Sequence, residues 1–150
     1  MDDQPGNPGP DRIDHIDDGA PVSVTLLSLF SPFNELNEGL NESFARGLVV
    51  SREPAGSVLI ERGSKDDVSI CLIEGTLVLK AADGRQTRVA GGTPAARLPL
   101  CQLKPHLYSA IAATEVAVII LSQSLLRDVT TVVSKYKNMP GIQVSHLLRT

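Results

Sequence analysis

The sequence predicts a single, mainly β domain with flanking α-helices, and three observations support this fold class. A chain of 150 residues with 42% apolar residues can bury one core. Seven short apolar runs, each bounded by glycine, proline or aspartate, occupy its middle, which is typical of a β-sandwich or barrel. Before and after these runs, apolar residues recur at steps of three and four, as they do on amphipathic helices.

The first twenty residues of the chain, residues 1–20, differ in composition from the rest. They hold six aspartates and one arginine among repeated prolines and glycines, and so carry a formal charge of -5. Such a segment cannot bury enough apolar surface to offset the entropy lost on ordering. We therefore predict a disordered acidic tail, followed by a mildly basic domain over residues 21–137 that carries +2 together with the C-terminal residues.

Helical spacing begins after Pro21 and continues to Gly47. Pro32 divides this stretch into two short helices, because proline does not fit a helix interior. Asn34 is the predicted N-cap of the second helix, and Gly47 is its predicted stop.

Seven strands are predicted after Gly47. They cover Leu48 to Val50, Val58 to Ile60, Val68 to Ile73, Thr76 to Lys80, Thr87 to Val89, Tyr108 to Ala113 and Val116 to Leu121. Glu74-Gly75 predicts a tight reversal, and Asp83-Gly84 predicts a hairpin. Residues 91–107 contain three prolines and no alternation, so this stretch is either an ordered connection or a single helical turn. Loops of that length commonly carry function.

A C-terminal helix is predicted to begin after a cap at Ser122 or Ser124 and to end near Asn138. Its apolar side would contain Leu125, Leu126, Val129, Val132, Val133 and Tyr136. These residues predict a helix packed on the sheet, or else a dimerisation seam or a moving relay. Residues 138–150 are predicted to be a C-terminal extension.

Four segments, taken in order, resemble the cyclic-nucleotide-binding domain family. Residues 54–63 open a strand at one glycine and leave it at another, and residues 65–79 give an acidic turn, a strand, a glycine and a second strand. Residues 89–92 end in a glycine pair, and residues 114–121 resemble the family's final strand pair. The resemblance implies a jelly roll, or double-stranded β-helix, with an irregular insert before its last two strands.

The family's phosphate cassette uses a glycine against the cyclic phosphate, a glutamate on the ribose hydroxyl and an arginine on the phosphate charge. Aligned from Gly92, Ala96 falls at the glycine position and Arg97 at the glutamate position. His106 falls at the arginine position, or Tyr108 if two residues are deleted. An arginine offers only donors, and a neutral histidine does not replace a guanidinium. The resemblance therefore implies a degenerate, bacterial-type member that has lost ordinary cAMP or cGMP binding.

The stretch between Gly84 and Thr114 has no acidic residue and contains three arginines and a lysine. The candidate anion pocket comprises Gly91, Gly92, Ala96, Arg97, Leu98, His106, Tyr108 and Ser109. It is interpreted as a site for a phosphate-bearing small molecule or an acidic peptide. The alternatives are a solvated basic edge, a surface covered by the acidic tail, or a true cyclic nucleotide or cyclic dinucleotide sensor that uses noncanonical contacts.

Catalytic and metal-binding patterns are missing from the sequence. The three histidines have no spacing that would converge on a metal, and no nucleophile, P-loop or dinucleotide motif is present. Cys71 and Cys101 have neither zinc nor redox spacing and are expected to be buried. With five aromatic residues, a platform for stacking single-stranded nucleic acid is also not expected. We expect no enzyme, no metal and no cofactor.

The cellular setting follows from segments that the sequence lacks. No basic region precedes an apolar stretch at the N-terminus, and the longest apolar run is six residues, so we expect a cytoplasmic protein without membrane contact. Only fourteen residues follow Tyr136, too few for a helix-turn-helix, so no DNA is expected to bind this chain. The expected function is a regulatory, ligand-sensing or protein-interaction module, as a homodimer, with a protein partner or fused output domain.

Overall fold

Two antiparallel sheets form the centre of the protein, whose computed structural model describes residues 17–137 apart from the side chains of residues 136 and 137. The strands are β1 (Val50–Glu53), β2 (Val58–Ile60), β3 (Ser69–Glu74), β4 (Thr76–Ala81), β5 (Gln86–Ala90), β6 (Tyr108–Ala112) and β7 (Val116–Leu121). The first sheet has the order β1-β7-β3 and the second the order β2-β6-β4-β5. Seven strands occur in the predicted order, and the mainly β class is confirmed, but the first strand begins at Val50 rather than at Leu48, because Val49 pairs only with Pro21 in an isolated bridge.

The predictions for most of the acidic tail, for the Tyr136 side chain and for the C-terminal extension lie outside the described residues. The last part of the predicted tail is described, and it contacts β1. The Gly19 N–H donates to the Val50 carbonyl at 2.7 Å, and the Arg52 N–H donates to Asp18 Oδ1 at 3.0 Å. Residues 17–20 therefore lie along the first strand.

Three α-helices flank the sheets: α1 (Val24–Leu27), α2 (Glu38–Ala45) and α3 (Gln123–Lys137). The prediction that Asn34 caps the second helix is wrong. Asn34 lies inside a 3₁₀ turn, Phe33–Glu35, after which the backbone becomes extended, so α2 begins three residues later than the predicted cap implies. The actual cap is Asn37, whose Oδ1 accepts the Leu40 N–H at 2.9 Å.

The other predicted helix boundaries agree with the structure. Gly47 follows the end of α2 with a φ of 81°, a left-handed conformation that favours glycine, which confirms it as the stop. Ser122 Oγ accepts the Leu125 N–H at 2.9 Å, so Ser122 is the cap of α3 rather than Ser124. Side chains of α3 pack on the core, as one of the sequence interpretations requires.

Side chains from β3 and β7 divide between two apolar clusters. One set faces the helices, and the alternate set faces the second sheet. The helix-facing cluster includes Cys71, Ile73, Ala117, Ile119, Phe33, Leu126 and Val129. The inter-sheet cluster includes Ile70, Leu72, Leu77, Val89, Ala110, Val116 and Val118. Burial on both faces explains why these two strands read as continuous apolar runs rather than as alternating ones.

Candidate functional site

The stretch between β5 and β6, residues 91–107, is here named the cassette segment. It begins at Gly91, whose N–H donates to the Gly75 carbonyl at 2.8 Å. A Cβ at Gly91 would overlap the Ile73 carbonyl, so only glycine lets the chain pass this close to the end of β3. Pro94–Arg97 then form a single 3₁₀ turn, which confirms the second of the two sequence interpretations.

The second half of the cassette segment is bound to β3. Leu100 and Ile70 exchange two backbone hydrogen bonds, of 2.7 and 3.1 Å, in an isolated antiparallel bridge. The next residue, Cys101, has a φ of 63°, a left-handed conformation that costs a non-glycine residue about 1–2 kcal/mol. The segment therefore stores local strain immediately after its attachment to the sheet.

Several side chains of the cassette segment pack against the inter-sheet cluster. Ala96 is 2% exposed and belongs to the inter-sheet cluster, with Leu100 and Cys101 packed against the same cluster. A cavity of about 110 Å³ remains, lined by Leu79, Cys101, Gln102, Leu103, Leu107 and Tyr108. Pockets for drug-sized ligands measure roughly 300–1,000 Å³, so this cavity is much smaller than such a pocket.

Arg97 lies at a different cavity, on the side of the N-terminal helices. This space, here named the Arg97 cavity, measures about 190 Å³. Apolar walls come from Leu29, Phe30, Leu72, Ile73 and Ala96, and Gly92, Thr93 and Arg97 complete the lining. The Arg97 carbonyl accepts the Ser31 N–H at 2.9 Å, which joins the 3₁₀ turn to residues 29–31, here named the N-terminal segment.

His106 is buried, with 2% exposure, against the loop between β2 and β3. Its backbone N–H donates to the Ser64 carbonyl at 2.9 Å, and its carbonyl accepts the Gly63 N–H at 2.8 Å. The Nε2 atom lies 3.1 Å from the Asp66 carbonyl, which can only accept, so this contact places the imidazole proton on Nε2. His106 is not among the described residues that line the Arg97 cavity.

The remaining predicted site residues are also separated. Tyr108 lines the smaller cavity, and Ser109 Oγ accepts the Arg62 N–H at 3.0 Å. The Leu98 side chain is 54% exposed to solvent. Of the eight candidates, the structure brings Gly92, Ala96 and Arg97 together at one cavity. Leu29 and Phe30 complete that cavity, and their helical spacing in the sequence predicted core contacts rather than a site.

Comparison with solved structures supports the fold. A structure from Geobacter metallireducens named for cyclic nucleotide binding is 22% identical, with 76% of this chain and 88% of that chain covered and a TM-score of 0.61. A cyclic nucleotide-binding-like protein from Brucella abortus is 20% identical over 73% of this chain and 97% of that chain, with a TM-score of 0.52. The chain has the fold of the cyclic-nucleotide-binding domains.

A third structure with this cyclic-nucleotide-binding fold is the regulatory domain of Toxoplasma gondii PKA with cAMP. It is 17% identical, with 75% of this chain and 47% of that chain covered and a TM-score of 0.58. No protein-family model and no curated protein matches the sequence. The similarity is thus one of fold, with few residues in common.

Gln123, the first residue of α3, connects this helix to the cassette segment. This side chain is 3% exposed, and its Nε2 donates towards the carbonyls of Val68, Cys101 and Leu103 at 3.2, 3.3 and 3.4 Å. The carboxamide therefore joins the start of α3 to both the β2–β3 loop and the cassette segment. The sequence contained no signal for this role, because a single glutamine at a helix start has many ordinary uses.

A second contact at the same junction involves Asp67. Ser124 Oγ donates to Asp67 Oδ2 at 2.8 Å, and Lys104 Nζ lies 3.6 Å from Asp67 Oδ1. The hydrogen bond from Ser124, with a smaller contribution from Lys104, lowers the pKa of the Asp67 carboxyl below its ordinary value. Within residues 17–137, no cluster of three potential metal ligands occurs, and no helix is long and apolar enough to cross a membrane.

Proposed function

We propose that this domain is a non-catalytic regulatory module, ligand-sensing or protein-binding, that has lost ordinary cAMP and cGMP binding. The observation that carries the proposal is what surrounds the three residues that stand at the family's cassette positions. Ala96 fills inter-sheet space, Arg97 lies at a separate cavity, and His106 is hydrogen-bonded to the Asp66 carbonyl. The groups that would have to recognise a cyclic phosphate and a ribose thus have other uses.

Electrostatics supports the same conclusion. A cyclic phosphate is an anion, and burying an anion without a paired cation costs several kcal/mol. Among the described residues, those around the 110 Å³ cavity include no arginine, lysine or acidic group. An anion placed there would exchange water for leucine side chains, a thiol, a carboxamide and a phenol, without a charge to offset its desolvation.

Exposed apolar side chains on the cassette segment favour the protein-binding version of the proposal. Leu98, Leu103 and Leu107 are each more than half exposed, and Leu103 and Leu107 border the same small cavity. Exposed apolar side chains that border one cavity, as Leu103 and Leu107 do, offer surface that a partner protein can cover. Through Gln123, a partner bound to the cassette segment would also act on α3.

Calorimetry and thermal shift with cAMP, cGMP and cyclic dinucleotides test this proposal. We expect neither heat nor a change in Tm with any of them at millimolar concentration, because the 110 Å³ cavity is small and its described lining residues include no cation. Micromolar binding of any of them would contradict the proposed loss and would favour a sensor that uses noncanonical contacts. Matched measurements on Tyr108→Ala, which enlarges the small cavity, would show whether volume alone prevents binding.

Cytoplasmic location and a homodimer remain parts of the proposal. The apolar side chains of α3, including Leu126, Val129 and Val133, are used by the domain's own core. A dimer would therefore use other surface, and the exposed leucines of the cassette segment are suitable. Sedimentation velocity of the full chain measures the association state, and a Leu103→Ser variant tests whether this surface is the interface.

A further inference from the structure

The Arg97 cavity has the composition of a small-molecule site. Its walls come from the N-terminal segment (Leu29, Phe30), from β3 (Leu72) and from the cassette segment (Ala96), and all of these side chains are apolar. Leu29 is 49% exposed at this cavity, whereas Phe30 and Leu72 are almost fully buried. The cavity thus combines a buried apolar interior with a side that is open to solvent.

Arg97 is the only ionisable residue among the described residues that line this cavity. Its guanidinium makes no hydrogen bond or ion pair with the residues that the structure describes. A guanidinium offers two parallel donors that match the geometry of a carboxylate. One positive charge balances one negative charge, so a singly charged anion suits the site better than a phosphate dianion.

We propose that the Arg97 cavity binds a small monocarboxylate that carries a compact apolar group. The carboxylate pairs with Arg97, and the apolar group lies against Leu29, Phe30 and Leu72. The volume supports this class of ligand, because a dry apolar cavity of about 150 Å³ holds benzene. A volume of about 190 Å³ therefore accepts a benzene-sized group with its carboxylate at the open side.

Such a ligand would act as a regulator by joining three parts of the fold. The direct link between the N-terminal segment and the cassette segment here is the hydrogen bond from the Ser31 N–H to the Arg97 carbonyl, at 2.9 Å. A ligand held between the same two segments and β3 adds contacts that exist only in the folded state, and so stabilises it. The Arg97 cavity shares no lining residue with the 110 Å³ cavity, so its occupancy is tested separately from cyclic nucleotide binding.

Amide chemical shifts of the full chain, titrated with benzoate, benzamide and inorganic phosphate, test the proposal. We expect benzoate to shift the amides of Gly92, Thr93 and Ala96 with a dissociation constant on the order of 1 mM, as befits a ligand of so few atoms. Benzamide has the same shape without the charge and should bind about tenfold more weakly. Equal binding of benzamide, or stronger binding of phosphate, would overturn the assignment of a carboxylate site.

Two substitutions of exposed residues locate the site without disrupting the fold. Arg97→Gln removes the positive charge of the cavity, and Leu29→Glu places a negative charge, the same sign as that of benzoate, at the open side. Each variant should therefore weaken benzoate binding by about tenfold or more. Arg88→Gln is the matched control, because Arg88 is exposed on β5 and is not among the cavity's lining residues; its affinity should be unchanged. Benzoate shifts that persist unchanged in Arg97→Gln, or no shift in the wild type at 20-fold the expected constant (about 20 mM), would overturn the proposal.

Discussion

The three-stranded sheet and the cassette segment both bury side chains between the two sheets, yet they are held by different means. β7 is hydrogen-bonded to β1 and β3 and is buried on both faces. The cassette segment has one 3₁₀ turn, one isolated bridge at Leu100, and separate hydrogen bonds to Ser31 and Gln123. Backbone pairing along a strand is lost only with much of the fold, whereas separate contacts can break one at a time.

This difference explains how the fold can keep its architecture while its site changes. Substitution of a buried residue in β3 or β7 removes packing from one of the two clusters, so few residues are acceptable there. Substitution in the cassette segment removes single contacts, and many of its side chains are exposed. Under the proposed function, Ala96, Arg97 and His106 stand at positions that recognise a ligand in the family's cassette, and the sheets still supply most of the packing.

The largest predicted effect is the difference in stability between a variant of Ile119 in β7 and a variant of Leu98 in the cassette segment. Ile119 is fully buried, so Ile119→Ala should reduce the free energy of unfolding by about 4 kcal/mol. Leu98 is 54% exposed, and Leu98→Ala should cost less than about 0.5 kcal/mol. Urea denaturation followed by circular dichroism measures both values. Similar costs for the two variants would contradict the difference between the regions.

The junction between the two regions gives the next largest effect, at two adjacent glycines. In Gly91→Ala the new Cβ would lie 2.7 Å from the carbonyl carbon of Ile73, so the backbone must move, at a cost of about 3 kcal/mol. Gly92 has a φ of 80° and open space around it, so Gly92→Ala should cost only about 1 kcal/mol. Thermal denaturation shows which of the two variants is the less stable. If Gly92→Ala proved the more destabilising, the close approach of the chain to β3 would be incorrect.

Gln123 and Gln102 provide a matched pair with a smaller effect. Gln123→Ala leaves the carbonyls of Cys101 and Leu103 without their amide donor, and should cost about 1–2 kcal/mol. Gln102 is exposed and donates to the Pro99 carbonyl at 2.7 Å, so Gln102→Ala should cost less than about 0.5 kcal/mol.

Hydrogen exchange distinguishes a local role from a global one for Gln123. We expect Gln123→Ala to accelerate exchange in residues 101–106 more than in β7, because the lost contacts hold the cassette segment and the start of α3. Equal acceleration throughout the domain would show instead that Gln123 supports the whole fold.

The difference between continuous strand pairing and single long-range contacts also determines which features can be predicted from the sequence. Strands such as β7 are set by local β-propensity and burial, so Val116 to Leu121 was predicted to the residue. The position of Arg97 depends on the hydrogen bond between its carbonyl and the N–H of Ser31, which lies more than sixty residues away in the chain. Alignment to a cassette pattern gave His106 a ligand role, but the Asp66 carbonyl that holds it is forty residues distant. Contacts between distant segments leave no periodic signal in one sequence.

The two cysteines give the smallest and most local prediction. Cys71 is buried in β3, and burial raises the pKa of its thiol from 9.0 to about 12, whereas that of Cys101 rises to about 11. Both thiols are thus protonated and slow to react at pH 8. We expect thiol reagents to modify Cys101 first, through local opening of the cassette segment, and Cys71 only on global unfolding. Peptide mapping after timed labelling measures the order.

The dependence of stability on alkaline pH gives an independent measure of how burial affects the Cys71 thiol. The folded state favours the protonated form of Cys71, so the stability linked to its burial is fully present below pH 9.0 and is lost as pH rises towards the folded pKa of about 12. The free energy of unfolding should therefore fall more steeply between pH 9 and 10.5 in the wild type than in Cys71→Ala. A Cys101→Ala variant should lose a similar part of the slope, because the folded pKa of Cys101, about 11, also lies above this pH range. Identical slopes in all three proteins would contradict the raised pKa values of both thiols, and faster labelling of Cys71 than of Cys101 would mean that the sheet opens as readily as the cassette segment.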